Sequence, residues 1–186
     1  MASSIHKLSD FISYVTSYGV ARPTRFEVVM AAPQRLFRKL NLNYLTLVSL
    51  YCENASLPQL NLGIMPQRIY GPNYQNPISI DYGGEGVTLS FLMDRDFDVK
   101  KFFEEWIGTI VDPVTYNLSY LRDSEGGYAA DITINQLNEV DDIVYSIKLI
   151  DAFPRNIGIM DLNAASLNMP QKVNVTFVYR RWIKLK

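Results

Sequence analysis

Cysteine and histidine each occur once in the 186 residues, as Cys52 and His6. A single thiol excludes an internal disulfide and a cysteine-rich zinc site. The single histidine, in the N-terminal segment, argues against a Ser-His-Asp or Cys-His machine, which needs its base held rigidly within reach of the nucleophile. His6 lies in the N-terminal segment and Cys52 in an apolar run, so they read as a surface histidine and a buried thiol. No apolar stretch approaches the roughly 20 residues of a membrane-spanning helix. Asp10 interrupts the apolar positions where a secretion signal would need its core. Charge excess is missing too: 18 Lys and Arg face 19 Asp and Glu, with a formal net charge of −1 and a pI near 5.8. That is a poor footprint for a nucleic-acid binder, which carries a basic excess. The expected compartment is the cytosol in which the chain is made. The Asn-x-Ser/Thr matches at Asn54, Asn117 and Asn174 then read as chance.

What is present suits a core. Hydrophobic residues make up 48% and charged ones 20%, ordinary for a globular chain and against wholesale disorder. Residues 1–186 are expected to form one domain, with neither an internal repeat nor a dividing linker. Twelve Tyr and nine Phe favour a mainly β fold, since aromatic rings suit pleated surfaces.

Along the chain, Ile5, Leu8, Phe11, Ile12 and Val15 recur at helical spacing, and Gly19 supplies a stop. Residues 1–22 thus read as a short N-terminal helix and arm, whose stripe must be buried against the body or a neighbour. Residues 25–31 read as the first strand. Residues 33–43 carry Arg35, Arg38 and Lys39 and read as an exposed basic loop, with a solvated loop favoured over a nucleic-acid patch. Residues 46–52 read as a strand, and residues 63–70 and 77–82 as extended segments flanking a turn at 71–73. Residues 113–122 read as irregular. Residues 131–136 alternate strictly, with Ile132 and Ile134 on one face and Asp131, Thr133 and Asn135 on the other. An acidic turn at 138–142 joins them to a strand at 143–150. Residues 154–163 read as a loop with a short extended piece, residues 173–179 as the closing strand, and residues 180–186 as a basic end.

The centre of the chain, residues 81–110, combines a Gly-rich turn, a buried strand, an acidic turn and a helix. Val99, Phe102, Phe103, Trp106, Ile107 and Ile110 follow the period of a helix with one buried face. Asp98 is the expected N-cap, and Asp96 and Asp98 suit the positive end of the dipole. Lys100–Glu104 and Lys101–Glu105 have the spacing of ion pairs.

Asp94, Asp96, Asp98 and Glu105 match four positions of a calcium loop, but the place that needs glycine for its sharp turn holds β-branched Val99. A charged turn is favoured and no metal is expected. Gly83, Gly84 and Gly86 resemble a phosphate cradle, yet no Lys-Ser/Thr follows and the next residues read as a strand, so a tight turn is favoured. The C-terminal end interleaves Arg180, Arg181 and Lys184 with Trp182, as single-strand binders do; a solvated strand end or docking surface is favoured. No catalytic residue, cofactor or metal site emerges.

Several segments taken together carry a resemblance: YGVARPTRF (18–26), LYCENASLP (50–58), RIYG (68–71), LSFLMDRDFD (89–98) running into VKKFFEEW (99–106), AFPRNIG (152–158) and VTFVYRRW (175–182). In order and nearly throughout, the chain resembles the tail tube proteins of contractile-tailed, T4-like bacteriophages. The resemblance implies a β-sandwich or small barrel flanked by one amphipathic helix, assembled as hexameric rings. These stack into an inner tube within a contractile sheath, through which DNA is ejected. Implied partners are the sheath, tape measure, baseplate tube-initiator and tail terminator proteins. The implied place is the virion tail, assembled in the host bacterial cytoplasm. An initiator subunit, or the tube subunit of a phage-derived bacteriocin or secretion system, is the alternative within the fold. On this footing Ser79, Asp81, Asp131, Thr133 and Asn135 are expected to face the lumen, which would let DNA slide if neutral or acidic. Arg35, Arg38, Lys39, Asp94 and Asp96 are expected at ring-to-ring or sheath contacts, together with the N-terminal helix. The basic 33–43 segment and the extended 180–186 end depart from a minimal member.

Overall fold

A computed structural model describes residues 8–31, 33–37, 43–68, 70–121, 127–163 and 169–186. Among them the chain runs α1 (Leu8–Tyr18), β1 (Phe26–Met30), α2 (Gln34–Phe37), α3 (Asn43–Leu50), β2 (Cys52–Ala55), β3 (Asn61–Gln67) and β4 (Tyr74–Asp81). It continues through β5 (Val87–Leu92), α4 (Asp98–Ile110), β6 (Ala130–Leu137), β7 (Ile143–Ile157), β8 (Lys172–Val178) and β9 (Arg181–Lys184).

The sheet order is β1-β6-β7-β8-β5-β2, with β9 also paired to β7, and every pairing is antiparallel. The first half of β7 lies between β6 and β9, and its second half pairs with β8. The turn from one half to the other falls where Asp151 takes a left-handed φ of 54° and where the ladder to β8 slips beside Pro154. Proline has no N–H to give a ladder, so a bulge is where a strand tolerates it. That is why β7 continues to Ile157 where a loop from 154 was expected.

The inner residues of both sheet halves share one core with α4: Val28, Ile132, Ile134, Ile147 and Leu149 from one half, and Val87, Leu89, Phe91, Val173, Val175 and Phe177 from the other. The α4 stripe fills it with rings. Phe91 and Phe103 lie 4.9 Å apart between centroids, Phe103 and Phe177 5.8 Å, and Trp106 and Phe177 6.0 Å. Trp106 is fully buried and its Nε1–H donates to the Tyr128 carbonyl at 2.8 Å. Val99, Phe102, Phe103 and Trp106 are buried as expected. Ile107 and Ile110 are only half-buried, and Thr109 takes the last buried place, donating to the Trp106 carbonyl at 2.7 Å. The expected mainly β fold, a sandwich or small barrel with one flanking helix, is what the chain adopts.

Four further local readings change. Residues 43–50 form helix α3, not a strand. Tyr44, Leu47, Val48 and Tyr51 are spaced as one helical face, and all four are at least partly buried against the core, but the same residues also read as a continuous apolar run. Within 33–43, Pro33 is buried and Leu36 of α2 is in the core, so the described part of that segment is packed, not a solvated excursion. The basic end is a strand, β9, held by β7. Finally, the helix N-cap is Phe97, in a left-handed conformation, and the expected cap Asp98 is the first helical residue. Asp94 does the capping: its carboxylate oxygens accept from the N–H of Asp98 at 3.1 Å and of Val99 at 3.2 Å.

Candidate assembly interface

Two surfaces of the chain are candidates for contacts beyond its own core. The first is the β3–β4 hairpin, a two-stranded sheet that pairs with no other strand among the described residues. Asn61 pairs with Asp81, Leu62 with Ile80 and Gly63 with Ser79, and a bulge follows at Gly63/Ile64. Alternation puts Leu62, Ile64 and Ile80 on one face and Ser79 and Asp81 on the other, with Ile78 the unpaired residue of the bulge. All four aliphatic residues are 51–65% exposed. A lone two-stranded ribbon is marginal in water, and a cluster of exposed aliphatic side chains marks a contact. The signal was visible in the sequence as two short alternations, but turn residues on either side made them look like connecting segments.

The second surface is the outer face of the sheet half β1-β6-β7-β9. Here the register aligns Glu27, Asn135 and Ser146 in one row and Val29, Thr133, Lys148 and Ile183 in the next. Ser146 Oγ donates to Asn135 Oδ1 at 2.6 Å, and Asn135 Nδ2 donates to Glu27 Oε2 at 3.2 Å. Lys148 Nζ lies 2.7 Å from Asp131 Oδ2. Asp131 and Thr133 are half-buried and partly open on this face. Asn135 is buried between its partners within the subunit, a departure from the open position expected for it. Glu27 and Asp131 face Lys148 and Arg181, so the charges balance.

The other expected contact residues scatter. Arg35 Nη1 donates to Ser119 Oγ at 2.5 Å, tying α2 to the loop after α4. Arg38 and Lys39 lie outside the described residues, as does His6. Asp94 is engaged with its own backbone while Asp96 is exposed. Burial opposes ionisation of Asp94, but hydrogen bonds from the backbone of Val99, Asp98, Asp94 and Asp96 outweigh it and lower its pKa. Lys100 pairs with Glu104 at 3.5 Å, and Lys101 reaches Asp98 at 3.2 Å. Among the described residues, no group of three or more His, Cys, Asp or Glu side chains is placed to hold a metal ion. The glycine segment is a tight turn: Gly86 N donates to the Gly83 carbonyl at 3.2 Å, and a Cβ at Gly86 would meet the Phe177 carbonyl oxygen at 2.3 Å. On α1 the stripe Leu8, Phe11 and Ile12 stands exposed. No helix is long and apolar enough to cross a membrane among the described residues.

The profile of the phage tail tube protein family matches residues 21–185. The chain belongs to that family. No curated protein sequence matches it. Solved structures similar to this tail tube family chain include a sheath–tube complex of an extracellular contractile injection system in the extended state. That structure has a TM-score of 0.62 and 16% identity, covering 99% of this chain and 98% of the other. A baseplate of the anti-feeding prophage is similar with a TM-score of 0.62 and 16% identity, over 89% and 95%. The tube-terminating cap of the same particle gives 0.62 and 18%, over 90% and 91%. At such identities the likeness establishes a common fold.

Proposed function

We propose that this chain is the structural, non-catalytic subunit of an inner tail tube, closing hexameric rings that stack into a hollow conduit within a contractile sheath. The observation that carries the reading is the β3–β4 hairpin, an isolated ribbon with one aliphatic face bare to solvent. A subunit that must bury that face finds an identical neighbour always at hand, and contacts between two different patches of one chain propagate into stacks instead of ending at a dimer.

Ring closure falls to the sheet half β1-β6-β7-β9, whose outer strands β1 and β9 lack further partners among the described residues. Pairing β1 of one copy to β9 of the next removes both edges, the usual fate of exposed strands in assemblies. At about 4.8 Å per strand, roughly 24 strands from about six copies give a backbone circumference near 115 Å and a diameter of about 37 Å, which strand tilt widens. The charge-balanced outer face, with Asp131 and Thr133 and with Ser79 and Asp81 of the hairpin, then lines the lumen. Such a wall lets DNA slide, because few free cations are offered to its phosphates.

The sheath–tube, baseplate and cap assemblies among the similar structures support sheath, tube-initiator and terminator proteins as partners, with a tape measure protein inside during assembly. They fit a second reading equally well, a tube subunit of a phage-derived injection particle that carries no genome. Place and origin follow: the tail of a virion or similar particle, made in the host bacterial cytoplasm. Electron microscopy of the purified chain tests the core of the proposal. Long hollow tubes support it, isolated rings point to an initiator, and a chain that stays monomeric at high concentration defeats it.

A further inference from the structure

We infer that Tyr179 and Trp182 are positioning residues for assembly, clasping both legs of the β3–β4 hairpin to the C-terminal strand and setting the direction in which it projects. The inference rests on the reading of the hairpin as an assembly surface. The hairpin pairs with no third strand among the described residues, so no strand ladder holds it to the body and its two legs connect it there. Gln59 lies in the leg before β3 and Tyr82 in the leg after β4. Trp182 Nε1–H donates to the Gln59 carbonyl at 3.2 Å, and Tyr179 Oη–H donates to the Tyr82 carbonyl at 2.6 Å. The Tyr82 and Trp182 rings meet edge-on, 6.2 Å between centroids at 89°. Gly83, at a φ of 85°, lets the legs close: a Cβ there would stand 2.9 Å from Gln59 Cγ and 3.2 Å from Tyr179 Oη.

Two C-terminal aromatic residues therefore hold two points about 20 positions apart in sequence, one per leg, and a ribbon pinned at both legs cannot swing. Pre-organising a projecting element in its bound direction raises its association by removing the ordering cost at the moment of contact. Trp182 also belongs to β9 and sits opposite Leu149. A neighbouring strand added to β9 would steady Trp182, and through it the hairpin, so that closing a ring prepares the next ring's contact.

The test uses the full chain with Cys52→Ser, spin-labelled at Gln75→Cys on the hairpin and Glu104→Cys on α4. Double electron–electron resonance of the unassembled subunit reports the spread of the hairpin's position, and pelleting reports tubes. Tyr179→Phe with Trp182→Phe removes both donors and keeps an aromatic ring at each position. We expect the distance distribution to widen roughly twofold and pelleted tubes to fall about tenfold, with the melting temperature of the body nearly unchanged. Gly83→Ala is the second variant: a Cβ at this buried, positive-φ position presses on Gln59 and Tyr179, with the same expectation for the distance distribution and the tubes and a lowered melting temperature. A distribution that stays narrow, or variant tubes that form like the parent's, overturns the clasp while the tube reading stands. A parent chain that makes neither rings nor tubes overturns both.

Discussion

Replacing Trp106 by alanine removes the largest fully buried side chain of the subunit. Aromatic-to-alanine changes in a packed core cost about 3–5 kcal/mol. Two features of the site place this one at the upper part of that range. Phe102 and Phe177 each lose a ring partner, at 5.8 and 6.0 Å, and the Tyr128 carbonyl loses the indole N–H that donates to it at 2.8 Å. Against a total stability of roughly 5–15 kcal/mol, such a loss brings the fold near its limit. With a shift of about 2–4 °C per kcal/mol for a chain of this size, the melting temperature should fall by roughly 6–20 °C. Trp106→Phe separates the contributions, because it keeps an aromatic ring and removes only the donor and some volume. It should cost about 1–3 kcal/mol. Guanidinium unfolding of the unassembled subunit, followed by far-UV circular dichroism, measures both; assembly would add its own stabilisation. A loss under about 1 kcal/mol for the alanine variant would refute a helix whose aromatic stripe organises the core. Equal losses for both variants would shift the burden from ring packing to the single hydrogen bond.

Three further outcomes are expected. Ile80→Lys charges the bare hairpin face, so tubes should vanish from electron micrographs while subunit stability changes by no more than about 0.5 kcal/mol; stable tubes would mean the face is not an interface. Asp94→Ala should cost about 0.5–2 kcal/mol through the lost cap of α4. Because the folded Asp94 pKa lies below the ordinary carboxylate value of 3.8, its contribution is full above that value and disappears as pH falls through the depressed one. The parent should therefore lose its advantage over Asp94→Ala in strong acid, and an advantage constant down to that range would contradict the assignment. Burial pushes the Cys52 thiol up to about 12, so iodoacetamide at mildly alkaline pH should label the native chain much more slowly than the denatured one.

The parts legible in the sequence were those where one period ruled. Val99, Phe102, Phe103 and Trp106 could only be a helix face, and the alternation through Ile132 and Ile134 could only be a strand. Reading failed where two patterns overlapped or where a partner was distant. The run around Leu47 and Val48 satisfies both a short buried strand and a helix, and the contact of α3 with α4 and β1 decides it. Pro154 looked like the end of a strand, because the bulge that accommodates it lies in the pairing with β8, more than 20 residues further on. The Asp94 cap is not legible in the sequence, because Phe97 adopts a left-handed turn that brings the carboxylate back from four residues upstream. Of the two candidate surfaces, the outer face of β6 follows from alternation, whereas nothing local marks the hairpin's aliphatic face, because an apolar residue awaiting a neighbour looks like one awaiting its own core.

Strand β7 has a mechanical consequence. It is the one member common to both halves of the sheet, bonded to β6 and β9 at one end and to β8 at the other. Sliding one half past the other would require either the β8 ladder or both the β6 and β9 ladders to break, along a crossbeam of 15 residues. In the proposed tube, a wall of such pieces would resist shear within each brick, and a thrust along its length would be carried to the joints between bricks.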